Sequence, residues 1–149
     1  MQLSNNFSLA ELCKSQTAIR HSIINIPTDQ KIINNLLALS NNILQPIRDN
    51  FGIPFSPNSG YRSPELNQLL GSKPTSQHCK GEAVDIEVPT ISNLDLANWC
   101  SINLNYDQII LEFYNKGEPT SGWVHISYKL EGNRKKYLSF DGKQFQEMR

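Results

Sequence analysis

The chain has 149 residues, 38% hydrophobic and 19% charged, a composition typical of a folded globular protein with one core. Fourteen basic residues balance fourteen acidic ones, which excludes the broad positive field of a nucleic-acid-binding protein and a polybasic membrane patch. The length predicts a single domain over residues 1–149. The three cysteines are scattered without Cys-x-x-Cys spacing, which argues against a disulfide scaffold and a thiolate zinc site.

The first half of the chain has helical patterns. A capping-box pattern at Ser8 and Glu11 predicts a short helix over residues 8–14. From residue 29 to about residue 50, apolar residues recur at helical spacing, which predicts a long amphipathic helix that packs on the core. We expect Thr28 to cap this helix and Pro46 to kink it.

A second capping signal lies in the middle of the chain. Ser63 followed by Pro64 predicts the start of a helix that ends near Gly71. The next segment, residues 72–80, is polar and contains His78, so we expect it to be a flexible loop.

The second half of the chain has strand patterns. Alternating residues over 82–88 predict a strand with Asp85 on its polar face, and Asn93 is expected to cap a helix that ends near residue 102. Further strands are predicted over 108–114 and 123–128, followed by a terminal hairpin over 136–145 with an Asp-Gly turn. Helices followed by clustered strands predict an α+β fold with a mostly antiparallel sheet.

Two of the three histidines have informative neighbours. His78 precedes Asp85 by seven residues, and His125 lies in an apolar strand whose flanking residues point the other way. Two histidines and one carboxylate from adjacent segments could form a three-ligand zinc site with a fourth position open to water. Taken singly, a strand histidine is more often structural, and Asp85 could belong to an ordinary solvated strand face; the joint pattern is the stronger indication.

Three motifs together resemble a known family. The segment 76–85 has the pattern Ser-x-His-x-x-Gly-x-Ala-x-Asp, residues 123–125 are Trp-Val-His, and residues 59–64 are Ser-Gly-Tyr-Arg-Ser-Pro. Their order and spacing resemble the zinc D-Ala-D-Ala carboxypeptidases, and most of all the compact branch common among phage endolysins. The likeness extends from about residue 59 to residue 128.

The resemblance implies a hedgehog/D-Ala-D-Ala peptidase-like α+β fold, one Zn²⁺ per chain, and hydrolysis of amide bonds in peptidoglycan stem peptides. It assigns the metal to His78, Asp85 and His125, and substrate or oxyanion binding to Arg62. The guanidinium offers a rigid fork of donors suited to a carboxylate or oxyanion. The alternative for Arg62 is a surface ion pair with Glu65.

The general base departs from the family pattern. Many relatives have an acidic residue three positions before the last histidine, where this chain has Gly122. Glu112, at the end of the 108–112 segment, resembles the acidic residue of the penultimate strand in the endolysin branch, and Glu118 is the second candidate. The sequence alone leaves the choice between these two glutamates open.

Other polar and aromatic residues have weaker signals. Tyr61 and Trp123 could line the cleft and contact substrate, or could be core residues. Ser76 could contact substrate, although a hydrogen bond to its own loop is the more economical role. Cys79 is adjacent to His78, but neighbours in an extended chain point to opposite sides, which argues against a thiol nucleophile.

The leading hypothesis is a zinc peptidase acting on peptidoglycan peptides, either as a D,D-carboxypeptidase or as an endopeptidase at L-Ala-D-Glu or cross-bridge bonds. The rival is a non-catalytic zinc-containing wall-binding or virion structural module. Residues 1–7 lack the features of a Sec signal peptide, so we expect a protein made in the cytoplasm. Together with a bare catalytic domain, this favours a phage lysin acting after release or from the virion; an intracellular dipeptidase is the alternative. We expect a monomer whose partner is the peptide, with no nucleic acid or membrane partner.

Overall fold

A computed structural model describes residues 1–148 and has the mixed α+β architecture that the sequence predicts. The helices are α1 (Leu9–Leu12), α2 (Gln16–Arg20), α3 (Gln30–Leu39), α4 (Gln45–Phe51), α5 (Pro64–Leu69) and α6 (Asn93–Asn103). The strands are β1 (Ala83–Ile86), β2 (Gln108–Glu112), β3 (Trp123–Ser127), β4 (Lys136–Phe140) and β5 (Phe145–Glu147). No helix within residues 1–148 is long and apolar enough to span a bilayer.

The strands form one five-stranded sheet in the order β1-β3-β2-β4-β5. β3 pairs antiparallel with both β1 and β2, β4 pairs antiparallel with β5, and the β2–β4 pair alone among the described strands is parallel. The prediction of a mostly antiparallel sheet is therefore confirmed. The parallel pair arises because the chain leaves β3 through a long loop and returns beside β2 instead of turning back next to β3.

Alternation along the three central strands separates the core from the candidate site. One face of β1, β2 and β3 contributes side chains that are almost completely buried in the hydrophobic core: Val84, Ile86, Ile109, Leu111, Val124 and Ile126. Helix α6 packs against β2 and β3. The opposite face presents Asp85, His125 and Glu112, because side chains two residues apart lie on the same face of a sheet.

The long predicted helix is interrupted. A π-helical segment, Ser40–Leu44, separates α3 from α4, and Pro46 lies in the first turn of α4. Proline has no backbone N–H to donate to the preceding turn, and the wider π turn accommodates that missing bond. In place of the predicted kink at Pro46, the helix has a π-helical turn just before the proline. The apolar face of the helix packs in the core as predicted, and Leu36, Ile43 and Ile47 are fully buried.

Three local predictions need correction. Asp29, rather than Thr28, caps α3, because its side chain accepts a hydrogen bond from the Lys31 N–H. Ser92 caps α6 in place of Asn93, whose amide instead donates to the Ser121 and Gly122 carbonyls. Helix α2 was not predicted, since its five residues have too few apolar positions to show a period. The capping box of α1 is confirmed.

Candidate metal centre

The register of β1 and β3 places two of the predicted ligands side by side. Asp85 and His125 are directly paired across the antiparallel strands, so their side chains project from the same face. His125 Nδ1 lies 3.0 Å from Asp85 Oδ1. Asp85 is only 9% exposed, so its face is not the solvated one that a strand pattern alone allows.

The third predicted ligand comes from a structured turn rather than from a flexible loop. His78 lies in a 3₁₀ helix, Gln77–Lys80, and is 4% exposed. The Ser76 hydroxyl accepts a hydrogen bond from the His78 N–H, and Gly81 ends the turn with a φ of +74°. An added Cβ at Gly81 would lie 2.8 Å from the Ile32 carbonyl oxygen, so only glycine lets the turn pack this closely on α3. Capping and close packing hold His78 in place.

The histidine ring is oriented by a backbone carbonyl. His78 Nδ1 lies 2.8 Å from the Gly60 carbonyl oxygen, which can only accept, so the Nδ1 atom carries the proton. In the neutral ring Nε2 then has a lone pair that can bind a metal, and it faces Asp85 Oδ1 at 3.5 Å; in the protonated ring the same nitrogen would donate a hydrogen bond to that oxygen. A carbonyl partner behind a ligating imidazole is the usual way in which proteins select the tautomer of a metal ligand.

The donor set fits a zinc ion. One donor atom from each of His78, Asp85 and His125 lies within 4.8 Å of the others. In tetrahedral zinc sites with bonds near 2.0–2.1 Å, two donors are separated by roughly 3.3–3.5 Å, close to the observed 3.0 and 3.5 Å. Two imidazole nitrogens and one carboxylate oxygen are common zinc ligands in catalytic sites, where three protein donors leave one position open.

The Asp85 carboxyl group is stabilised in its ionised form. Burial by itself would raise its pKa, but hydrogen bonds and charge interactions with His125 and His78 outweigh burial and hold the pKa well below its ordinary value. An ionised carboxylate is the form that binds a cation.

Arg62 lies behind the predicted ligands. Its Nη2 atom lies 3.5 Å from Asp85 Oδ2, and its other nitrogens donate to the hydroxyl groups of Ser59 and Ser72 at 3.2 and 3.3 Å. The alternative ion pair with Glu65 is not formed among residues 1–148. The guanidinium therefore neutralises and orients the aspartate, which leaves Oδ1 directed at the two histidines.

Glu112 shares a cleft with His125. The cleft has a volume of about 750 Å³, and its wall includes Glu112, His125 and Ile110. Burial raises the pKa of the Glu112 carboxyl above its ordinary value, an effect that the neighbouring His125 opposes and Asp85 reinforces. Trp123 lies opposite Glu112 on β3. Its buried indole N–H makes no hydrogen bond of normal geometry, but it lies near the Glu112 carboxyl group and opposes the rise in the Glu112 pKa.

The position where relatives have an acidic residue has no room for a side chain here. Gly122 has a φ of +65°, and a Cβ built on it would lie 1.9 Å from the Glu112 carbonyl oxygen and 2.7 Å from Phe113 C. The loop before β3 thus crosses directly over the end of β2. Glu112 itself is brought to the cleft by the strand that this loop covers.

The remaining predicted residues lie in different places. Glu118 is exposed in a tight turn and accepts a hydrogen bond from Asn115, outside the cleft wall. Tyr61 is 5% exposed and belongs to the core. Ser76 caps the turn before His78 and also lines the cleft. Cys79 is half-buried, and burial raises the pKa of its thiol, which does not suit a nucleophile.

A buried charge network next to the centre was not predicted. Asp107 is fully buried, and its carboxylate accepts two hydrogen bonds from the Arg134 guanidinium, at 2.9 and 2.7 Å, and one from the Gln77 amide at 3.1 Å. It thereby ties the turn that contains His78 to the start of β2. These residues are 27 and 30 positions from Asp107, so no local spacing in the sequence indicates the network.

Comparison with known proteins supports the resemblance. The family model described as Peptidase M15 matches residues 5–127, which include His78, Asp85 and His125 as well as Glu112. A comparison with curated proteins gave no significant match. The matched region spans most of the chain and all three motifs on which the resemblance depends. The chain therefore belongs to the Peptidase M15 family, the family of the zinc D-Ala-D-Ala carboxypeptidases.

Proposed function

We propose that this protein is a zinc-dependent peptidase that hydrolyses amide bonds in peptidoglycan stem peptides, with the hedgehog/D-Ala-D-Ala peptidase-like fold of its family. Membership of the M15 family supports metallopeptidase activity on substrates of the peptidoglycan type. The observation that supports the proposal most directly is the convergence of His78, Asp85 and His125 beside a cleft that also contains Glu112.

Each residue has a distinct role in the proposal. His78, Asp85 and His125 hold the zinc ion, and Arg62 positions Asp85. When bound, zinc lowers the pKa of water to about 7 and polarises a carbonyl group. Glu112 takes a proton from the attacking water and delivers it to the leaving amine nitrogen, a role that its raised pKa favours.

Substrate would occupy the cleft beside His125. Ser76 lines this cleft and is available to contact a peptide, whereas Trp123 and Tyr61 are absent from its wall. We assign Trp123 a supporting role instead, through its contact with the Phe113 ring at 5.3 Å between centroids. The lysin setting, and the bond that is cut, are parts of the proposal that product analysis tests.

The rival function, a module without catalysis, rested on Gly122. The close approach of Gly122 to the Glu112 carbonyl gives that glycine a structural reason of its own. A glycine at this position is compatible with a base supplied by the adjacent strand, so the enzyme is the function that the geometry supports better.

The test is digestion of purified cell walls and defined muropeptides, with products identified by chromatography and mass spectrometry. We expect cleavage that chelation abolishes and added zinc restores. Glu112→Gln is expected to retain zinc but lose activity by about 10²- to 10⁴-fold, while Glu118→Gln, the matched control, keeps it. His78→Ala is expected to lose both zinc and activity. Intact substrates across several wall chemistries with zinc-loaded protein would contradict the proposal, and the masses of the products identify the bond cut.

A further inference from the structure

Three lysines line the same cleft as His125 and Glu112. Lys73 comes from the loop after α5, Lys80 from the end of the 3₁₀ helix, and Lys129 from the segment that follows β3. Separate parts of the chain therefore bring positive charge to one cavity, although the net charge of the whole chain is zero.

The positive charge of these lysines is not neutralised by an ion pair. Among residues 1–148, none of the three ammonium groups has a carboxylate within 4.0 Å. The fourth cation of the cleft, Arg134, differs, because its guanidinium is bound to Asp107 at 2.7 Å. Two carboxylates, Glu82 and Glu112, also line the cleft, and Glu112 belongs to its reactive end.

The backbone of each lysine is held by an asparagine side chain. The amide of Asn67 donates to the Lys73 carbonyl at 2.8 Å, and Asn67 is 1% exposed. The other two carbonyls receive equivalent bonds at 2.9 Å, Lys80 from Asn35 and Lys129 from Asn133. Fixed anchor points reduce the entropy that a flexible loop loses when it binds a ligand.

The cleft follows β2 from Gln108 to Glu112, with Ile110 opposite His125. Gln108 lies two residues before Ile110, which corresponds to roughly 7 Å along a strand. Lys129 and Arg134 lie on the chain near this end, since the Ser127 hydroxyl accepts from the Gln108 N–H. An extended peptide advances about 3.3–3.6 Å per residue. A substrate group two to four residues from the cleaved bond would therefore reach the end of the cleft next to Gln108, where Lys129 lies.

We propose that Lys73, Lys80 and Lys129 bind a free carboxylate of the peptide substrate, so that the site selects acidic peptides over their amidated counterparts. This inference rests on the proposed peptidase function and specifies its substrate class. Ammonium groups suit the task because each is a mobile point charge that can follow a carboxylate held on a flexible peptide. Lys73 and Lys80 are exposed and Lys129 is half-buried, so solvent ions can reach these groups and the selectivity is expected to weaken as salt is raised.

The test uses the synthetic peptide L-Ala-γ-D-Glu-L-Lys-D-Ala-D-Ala and two derivatives, one with the glutamate α-carboxylate and one with the terminal carboxylate converted to an amide. The measured quantity is the preference for the free acid, as a ratio of kcat/KM values. We expect at least one amidation to lower kcat/KM about fivefold to thirtyfold, mainly through KM, because each of the three solvent-accessible contacts contributes little by itself.

Variants then assign that preference to the lysines. Combined Lys73→Gln, Lys80→Gln and Lys129→Gln substitutions are expected to bring the ratio close to one, while the corresponding arginine substitutions preserve it. Lys116→Gln, at an exposed lysine outside the cleft, is the matched control and is expected to preserve the ratio. A wild-type ratio of one for both amides, or a preference that survives the triple glutamine variant, would overturn the inference.

A binding measurement separates this inference from the proposed function. Calorimetric titration of Glu112→Gln protein with the same three peptides does not need turnover. Carboxylate-dependent binding without cleavage by the wild type would overturn the peptidase function and keep the lysine site. Cleavage without any carboxylate preference would support the peptidase function and overturn the lysine site. Binding that is equal for all three peptides would also overturn the lysine site.

Discussion

Gly122 connects the loop before β3 to the strand that presents His125, and its backbone adopts the left-handed conformation with a φ of +65°. Replacing it with alanine introduces a Cβ 1.9 Å from the Glu112 carbonyl oxygen. Real atoms do not approach this closely, so either the loop or the end of β2 must move. Since Glu112 is the proposed base, the same movement would disturb the site.

Gly52 provides a matched control. Its φ is +66°, nearly identical to that of Gly122, but a Cβ at Gly52 has no neighbour within 4 Å. Left-handed backbone strain alone is expected to destabilise Gly52→Ala by about 1 kcal/mol. For Gly122→Ala, displacement of packed backbone adds about 1–3 kcal/mol, so we expect a total loss of about 2–4 kcal/mol.

Urea denaturation and thermal melting, both in the presence of a chelator, measure these losses without a contribution from metal binding. At this chain length, we expect Tm to fall by about 3–4 °C for Gly52→Ala and by about 10 °C for Gly122→Ala. Equal destabilisation of the two variants would show that the contact with β2 is not tight, and the explanation for the missing acidic residue would then be wrong.

Two further predictions concern charges next to the centre. Hydrogen bonds from Arg134, opposed by burial, hold the pKa of Asp107 at about 2, below its ordinary 3.8. Because the pKa is lower in the folded state, the ionised carboxylate stabilises the fold at pH values above the unfolded-state pKa. This contribution is lost as pH falls from about 5 to 2. Allowing for solvent screening at the half-exposed Arg134, we expect the Asp107 carboxylate to contribute about 1–2 kcal/mol to the free energy of unfolding. The free energy of unfolding of Asp107→Asn should therefore depend less on pH than that of the wild type in this interval. Parallel pH curves for the two proteins would contradict this. Arg62→Gln should weaken zinc binding about 10- to 100-fold in a competition titration, because Asp85 loses its orienting partner. Arg20→Gln, on the exposed helix α2, is the control and should leave zinc affinity unchanged. An unchanged zinc affinity of Arg62→Gln would exclude the positioning role.

Local patterns predicted much of the secondary structure. The capping box at Ser8 and Glu11, the Ser63 cap and the terminal hairpin are all present in the structure. These features depend on hydrogen bonds between residues a few positions apart, so the residue types alone indicate them. The Thr28 and Asn93 caps were wrong by one residue, because adjacent polar side chains compete for the same N–H groups.

The sequence predicted which residues form the candidate site better than it predicted how each of them is positioned. His78, Asp85 and His125 lie in motifs with regular spacing, and the structure brings these three donors together. The position of His78 in a buried 3₁₀ turn was not predictable, since the polar composition of residues 72–80 is equally typical of an exposed loop. The contact between Arg62 and Asp85 depends on a bridge between Ser59 and Asp85, which local spacing does not indicate.

The amino-acid sequence by itself determined the fold class, the family and which residues are candidate metal donors, because periodicity, caps and motif spacing can be read from the order of the residues. Only the tertiary structure decided that Glu112 faces the cleft beside His125, that Gly122 must lack a side chain, and that three distant lysines share one cavity. The positions of Glu112 and His125 arise from pairing β3 with both β1 and β2. Such pairing joins segments far apart in the chain, and its register is set by packing of the whole sheet against the helices.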